Sequence, residues 1–346
     1  MTTSIRIGIV GYGNLGRGVE RSLALNPDME LVGVFTRRDP ESVTAVDAGT
    51  RVRGIEALDG ERGDIDVLIL CGGSKSDLPE QTPALASAFS VVDSFDTHAR
   101  IPEHFDAVDA AAKAAGTTAV ISTGWDPGLF SLQRLYGEAI LPQGETYTFW
   151  GRGLSQGHSD AIRRVPGVAG GVQYTIPSDD AIARVRAGER PGLSTREKHT
   201  RECFVVLEDG ADADAVREAI VTMPDYFEPY DTTVAFITAE ELARDHAGAP
   251  HGGFVIRSGT TSLGSSQAKG SSQAKGSSQA KGTSQSIEFR LALESNPEFT
   301  ASVLVAYARA AARLAASGDH GAKTPFDIAP GLLSPKSASQ LRAELL

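Results

Sequence analysis

Gly11-Tyr12-Gly13-Asn14-Leu15-Gly16 has the spacing G-x-G-x-x-G and directly follows the apolar run Ile5 to Val10. A strand that ends in such a cluster and opens a helix makes a phosphate cradle. Gly11 permits the tight turn, Gly13 lets a pyrophosphate approach backbone N–H groups at the helix N-terminus, and Gly16 allows close helix–strand packing. The end of the next strand decides which dinucleotide fits. An NAD site usually places Asp or Glu there for the ribose 2′-hydroxyl, whereas this chain has Thr36-Arg37-Arg38, with its first acid only at Asp39. Two guanidinium groups suit a 2′-phosphate, so the expected cofactor is NADP. The segment Cys71-Gly72-Gly73-Ser74-Lys75-Ser76-Asp77, after a third strand, should lie along the cofactor. Its backbone N–H groups and Ser74 supply hydrogen bonds there.

Ligands of such sheets bind outside the carboxyl ends of the strands. Two carboxylates fall at those ends, Asp96 in Val92-Asp93-Ser94-Phe95-Asp96 and Asp126 in Gly124-Trp125-Asp126-Pro127-Gly128. Both suit a substrate ammonium, and both are candidates for the base that must neutralise an amine before hydride leaves its carbon. The residues leave open which of them does so. Further along, Gly151 to Asp160 is a polar, glycine-dense loop whose N–H groups can meet an anion. Arg201, with a hydroxyl and His251, makes a plausible carboxylate clamp. The seven histidines show no H-E-x-x-H and no close Cys/His spacing, so no metal site is expected.

The elements that must carry these groups follow from the apolar pattern. Runs at Ile5–Val10, Leu31–Thr36, Val67–Cys71, Val91–Ser94 and Ala119–Ser122 alternate with helical stretches, including Leu15–Leu25 and Pro102–Ala115, the latter stopped by Gly116. That alternation predicts an α/β fold, a doubly wound Rossmann-type parallel sheet. From about Thr146 the β-branched and aromatic runs Tyr147–Trp150, Val172–Ile176, Arg201–Leu207 and Thr232–Ile237 predict a mixed sheet in a second, α+β domain. The expected division is a dinucleotide-binding domain over 1–124, a substrate and dimerisation domain over 125–295, and a segment 296–346 returning to the first, with helix Phe299–Ala316 packed on it. Three copies of Ser-Ser-Gln-Ala-Lys-Gly fill 265–282, so 265–285 reads as a flexible low-complexity loop.

Composition bounds the rest. At 346 residues the chain suits two lobes, and 41% hydrophobic with 22% charged residues is ordinary for a globular protein. A net charge of -11 argues against nucleic acid or an anionic membrane as partner. No apolar run approaches the ~20 residues of a membrane span. Cys71 and Cys203 sit singly in apolar runs and read as buried thiols, which predicts a reducing, cytoplasmic setting.

The chain resembles the meso-diaminopimelate dehydrogenase family. The resemblance rests on Gly11-Tyr12-Gly13-Asn14-Leu15-Gly16-Arg17, Ser122-Thr123-Gly124-Trp125-Asp126-Pro127-Gly128, Phe149-Trp150-Gly151, Leu154-Ser155-Gln156-Gly157-His158-Ser159-Asp160, Met223-Pro224-Asp225-Tyr226-Phe227 and Pro250-His251-Gly252-Gly253. It implies an NADP-dependent homodimer of lysine metabolism that releases ammonia from the D-centre of meso-diaminopimelate, giving L-2-amino-6-oxopimelate. It also implies that Asp96, Asp126, Trp150, Gln156 and Gly157 surround the D-centre, while Thr175, Arg201, His251 and Asn296 hold the distal L-amino-acid end. The repeat after Gly264 departs from the short connection of the family. Other readings on the same scaffold are a dihydrodipicolinate-branch reductase, a D-amino-acid dehydrogenase of broader range, and an NADPH sensor without turnover. The last would lack the polar groups kept here at Asp96, Asp126, Arg201 and His251.

Overall fold

The computed structural model describes residues 4–248, 250–262 and 283–346. The chain splits into two compact units, Met1–Leu132 with Pro297–Leu346, and Gln133–Asn296. The first crossing therefore falls within helix Leu129–Ile140 rather than after Gly124, and the second falls one residue beyond the expected Ser295. Segment Trp125–Leu132 stays with the first unit, and the Gly124 and Trp125 carbonyls accept the amides of Leu129 and Phe130 at the start of that helix.

In the first unit seven parallel strands lie in the order Gly321–Lys323, Thr118–Val120, Val91–Asp93, Val67–Leu70, Ile5–Val10, Met29–Thr36, Val52–Gly54. The chain order reverses between Ile5–Val10 and Val67–Leu70, which makes the carboxyl ends of those two strands the topological switch point. Successive strand residues bury on opposite faces, as period-two geometry requires. Ile7, Ile9, Val67 and Ile69 pack with Val19, Leu23 and helix Asn296–Ala316, whereas Val10, Leu68, Leu70 and Phe35 pack with Leu78, Val108 and Ala112. Both faces are covered, which is why these strands read as near-continuous apolar runs.

Helix Asn296–Ala316 gives this unit Ala301, Leu304, Val305, Ala308 and Ala311 as core. Its Arg309, almost fully buried, donates to Asp28 at 2.6 Å and to the Asn26 side-chain oxygen at 2.6 Å. Edge strands Val52–Gly54 and Gly321–Lys323, three residues each, go beyond the five strands expected. Both are too short for alternation to show.

The second unit holds two sheets where one mixed sheet was expected. One is mixed, ordered Asp231–Phe236, His199–Leu207, Val168–Pro177, Gly153–Leu154. The other is antiparallel, ordered Ser284–Leu293, His251–Thr260, Gln143–Trp150. Strand His251–Thr260 is masked in the sequence by Gly252-Gly253. A Cβ on Gly253, at φ +151°, would run into the Phe149 carbonyl of the neighbouring strand. Glycine here marks close backbone approach, not a turn. The expected loop over 265–285 lies outside the described residues for 265–282, but Ser284 and Gln285 are already paired with Thr260 and Gly259. Among the described residues no helix is long and apolar enough to cross a membrane.

Candidate active site

In the first unit a cleft of about 400 Å³ sits at the switch point, lined by Gly11, Tyr12, Gly13, Thr36, Arg37, Arg38, Cys71, Gly72, Gly73, Asp77 and Gln81 among others. Three chain segments far apart in sequence meet there. Gly11 adopts φ +87°, a Cβ on Gly16 would strike the Gly11 carbonyl, and a Cβ on Gly13 would meet nothing within 4 Å. The turn and the close packing thus require glycine at two positions, and the open side of the third is where a pyrophosphate fits. Asn14, Leu15 and Gly16 form the first turn of helix Asn14–Leu23, which leaves its leading N–H groups to a ligand.

Arg38 donates to the Tyr12 carbonyl at 2.6 Å, and Arg37 pairs with Asp77 at 2.6 Å. Burial works against ionising Asp77, but the Gly73 amide at 2.8 Å and the Arg37 guanidinium hold its pKa below the usual carboxylate range. Two cations and no acid at the strand end fit a 2′-phosphate, with Arg37 already partly neutralised by Asp77. Tyr12 is fixed through its hydroxyl, which bonds the buried Glu20 carboxylate; Glu20 also accepts from Thr50 Oγ1 at 2.6 Å and from the amides of Val46 and Asp47. Ser74 accepts from the Asp96 amide at 2.9 Å, so the loop expected to bond the cofactor is also tied to an aspartate loop. Ser76 is exposed beside it. Cys71 is half-buried rather than buried; burial raises both thiols, that of Cys203 to about 12.

Asp96 is exposed and Asp126 half-buried, and both lie in the first unit. One residue missed at the sequence level organises their loops. Asp93, fully buried, accepts from Thr82 Oγ1 at 2.8 Å, His104 Nε2 at 2.7 Å, the Phe95 amide at 3.0 Å and the Ser122 amide at 2.9 Å. Its backbone carbonyl accepts the Thr123 amide at 3.0 Å and hydroxyl at 2.7 Å. Ser122 sits at φ +56°, a conformation that costs a non-glycine residue roughly 1–3 kcal/mol and needs such bonds to persist. A buried acid at a strand end is the signal that was available.

In the second unit Arg201 and Thr175 are register partners on adjacent strands, and the Arg201 guanidinium bonds Thr175 Oγ1. Arg201 is 6% exposed, lies 3.8 Å above the Tyr230 ring and leaves Nε without a partner. No carboxylate pairs with it among the described residues. Burial lowers its pKa from the ordinary value, with Tyr230 opposing, yet a guanidinium stays charged. An unpaired buried cation is costly, and an anionic ligand is what would relieve it.

Trp150, 36% exposed, donates its amide to His199 Nε2 at 2.9 Å and stacks on that ring at 5.4 Å. Its Cα pairs with Gly253, and the His251 ring packs over Gly153, itself the register partner of Thr175. Trp150, Thr175, Arg201 and His251 are thereby gathered at one end of the two sheets. Burial first, then the Arg201 charge, pushes His199 down to about 3 and His158 to about 4. Both rings are therefore neutral, and His199 is free to accept.

The expected loop Gly151–Asp160 is interrupted by the short strand Gly153–Leu154 and ends at Ser155. Gln156–Arg163 is a helix capped by Ser155, so Gln156 and Gly157 present first-turn backbone; only the backbone of Gln156 is described. Asn296 closes the second unit at the start of helix Asn296–Ala316. His199, Tyr230 and Gln173, whose buried Oε1 has no partner, and His158, whose ring packs on Tyr226 and Phe227, were not legible in advance, because their neighbours are brought by the fold and not by sequence.

Comparison with known proteins adds independent findings. The diaminopimelic acid dehydrogenase C-terminal domain family matches residues 124–273. The meso-diaminopimelate D-dehydrogenase of Ureibacillus thermosphaericus is 62% identical over 344 residues, covering 99% of this chain and 100% of that protein. Among solved structures, the C. glutamicum DAP dehydrogenase in complex with DAP is 45% identical, covers 100% of both chains and superposes with a TM-score of 0.87. An engineered D-amino acid dehydrogenase bound to NADP+ is 43% identical, covers 99% of this chain and 100% of that one, and has a TM-score of 0.82.

Proposed function

The chain belongs to the meso-diaminopimelate D-dehydrogenase family, and from that premise we propose that it oxidatively deaminates meso-2,6-diaminopimelate at its D-centre with NADP+. The balance is meso-diaminopimelate, NADP+ and water giving L-2-amino-6-oxopimelate, ammonium, NADPH and a proton. The observation that carries the substrate assignment is Arg201, a buried guanidinium bonded to Thr175 and lacking a carboxylate among the described residues.

The NADP site consists of the glycine turn Gly11–Gly16, the loop Cys71–Asp77, and Arg37 with Arg38 for the 2′-phosphate. When bound, the cofactor takes up the hydride. Everything else falls to the chain. Arg201, Thr175, His251 and Asn296 hold the distal L-amino-acid end. Asp96 and Asp126, with Trp150, Gln156 and Gly157, receive the D-centre. Their carboxylates orient its ammonium, and one or the other takes the proton that must leave nitrogen before the C–H bond breaks. Holding both ends of a zwitterion in one pose allows only one of its two centres to react, and such orientation supplies several kcal/mol of the barrier reduction. A homodimer in a cytoplasmic setting, within lysine biosynthesis, completes this reading.

The test follows NADPH absorbance with meso-, L,L- and D,D-diaminopimelate and simple D-amino acids, then repeats it with NAD+. The meso isomer with NADP+ should exceed every other combination at least about tenfold in kcat/KM, the difference one charged hydrogen bond makes. Comparable rates with simple D-amino acids would instead favour the broader dehydrogenase.

A further inference from the structure

We infer that Asp93 and His104 form a positioning pair for the reaction: one buried carboxylate–imidazole contact holds both aspartate-bearing loops in catalytic geometry. This rests on the reading that Asp96 and Asp126 receive the D-centre.

The geometry is specific. Asp93 Oδ1 receives two backbone amides, Phe95 at 3.0 Å and Ser122 at 2.9 Å, one from each loop. Phe95 immediately precedes Asp96, and Ser122 opens the turn that reaches Asp126 four residues later. Oδ2 receives Thr82 Oγ1 at 2.8 Å and His104 Nε2 at 2.7 Å, which fix the rotation of the carboxylate and therefore the direction of Oδ1. His104 also stacks on the Phe95 ring, with centroids 4.1 Å apart and planes 20° apart. One imidazole thus steadies the carboxylate and the residue before Asp96 together. The Asp96 amide is further held by Ser74 of the cofactor loop, and Thr82 lies on the helix that follows that loop. Loosening the pair displaces both aspartates, while the glycine turn and the Arg37 and Arg38 side chains, bonded to Asp77 and to the Tyr12 carbonyl, stay in place. A shift of roughly 1 Å in such groups costs about 10²-fold in rate.

His104→Phe keeps a flat ring against Phe95 but removes the donor, and His104→Gln restores a donor without the ring. Thr82→Val removes the second donor and provides the same test should His104→Phe fail to fold. His104→Phe is expected to lower kcat with meso-diaminopimelate about tenfold or more, leave KM for NADP+ within about twofold, and be substantially recovered in His104→Gln. In an Asp96→Asn, Asp126→Asn background the further loss from His104→Phe should shrink, since the pair acts through those residues. A folded His104→Phe or Thr82→Val with wild-type kcat would overturn the inference, as would a loss undiminished in the double-aspartate background. The two readings separate cleanly. If Asp96→Asn and Asp126→Asn themselves keep wild-type kinetics, the aspartate assignment fails. If they lose activity while the His104 and Thr82 variants retain it, only the positioning pair fails.

Discussion

Arg201 shows how burial changes what a residue can do. On a surface it would be one of many solvated cations; here it stands 6% exposed, over Tyr230 and against Thr175. A charged hydrogen bond made in such a site is worth about 1.5–3 kcal/mol, or roughly 10–100-fold. Arg201→Ala should therefore raise KM for meso-diaminopimelate by about that factor while leaving KM for NADP+ unchanged; unaltered KM and kcat in steady-state assays would remove Arg201 from the clamp. The neighbouring histidines set a pH dependence. His199 and His158 are depressed from 6.5 to about 3 and about 4, chiefly by burial and then by Arg201. Between those values and 6.5 the unfolded chain binds more protons than the folded one, so stability is present above 6.5 and is lost as pH falls through that window. Each fully titrating group contributes up to about 1.4 kcal/mol per pH unit. Urea unfolding at pH 7.5, 6.5, 5.5 and 4.5 should show a plateau and then a decline, with a smaller decline in His158→Gln.

Among the elements, the strand–turn–helix from Ile5 to Leu23 and the end of strand Met29–Thr36 carry the cofactor reading. Their two arginines are not equivalent. Arg37 is ion-paired with Asp77, whereas Arg38 bonds a neutral carbonyl and keeps its full charge. Arg38→Ala should accordingly lower kcat/KM for NADP+ relative to NAD+ by more than about tenfold, and Arg37→Ala by less, the expected gap between losing a free and a partly neutralised phosphate ligand. Equal effects in a cofactor-preference assay would contradict that ranking. The first-unit strands were legible because burial on both faces writes itself as an apolar run. Strand His251–Thr260 was not, because its need for close backbone approach selected Gly252-Gly253, the same residues that mark turns elsewhere.

For the whole molecule, two units with separate cores divide the proposed chemistry: the first carries the candidate dinucleotide cleft with Asp96 and Asp126, the second carries Arg201, Thr175 and His251. The 36.3 kDa chain is expected to sediment at about twice its mass if the proposed homodimer holds. A single-chain mass at micromolar concentration would withdraw that proposal and leave the catalytic reading intact.

Local order along the chain was enough to determine the α/β class, the phosphate turn and the preference for a phosphorylated cofactor, and to nominate two aspartates and Arg201 as site candidates. Those properties depend on neighbours in sequence: glycine spacing, apolar alternation, and an acid or a cation at a strand end. Only the tertiary structure decided that Asp93 joins loops 29 residues apart, that His199 receives an amide from 49 residues away, and that Arg201 meets Thr175 across 26. Buried polar groups must find partners wherever the fold brings them, and no local pattern records which distant residue that is.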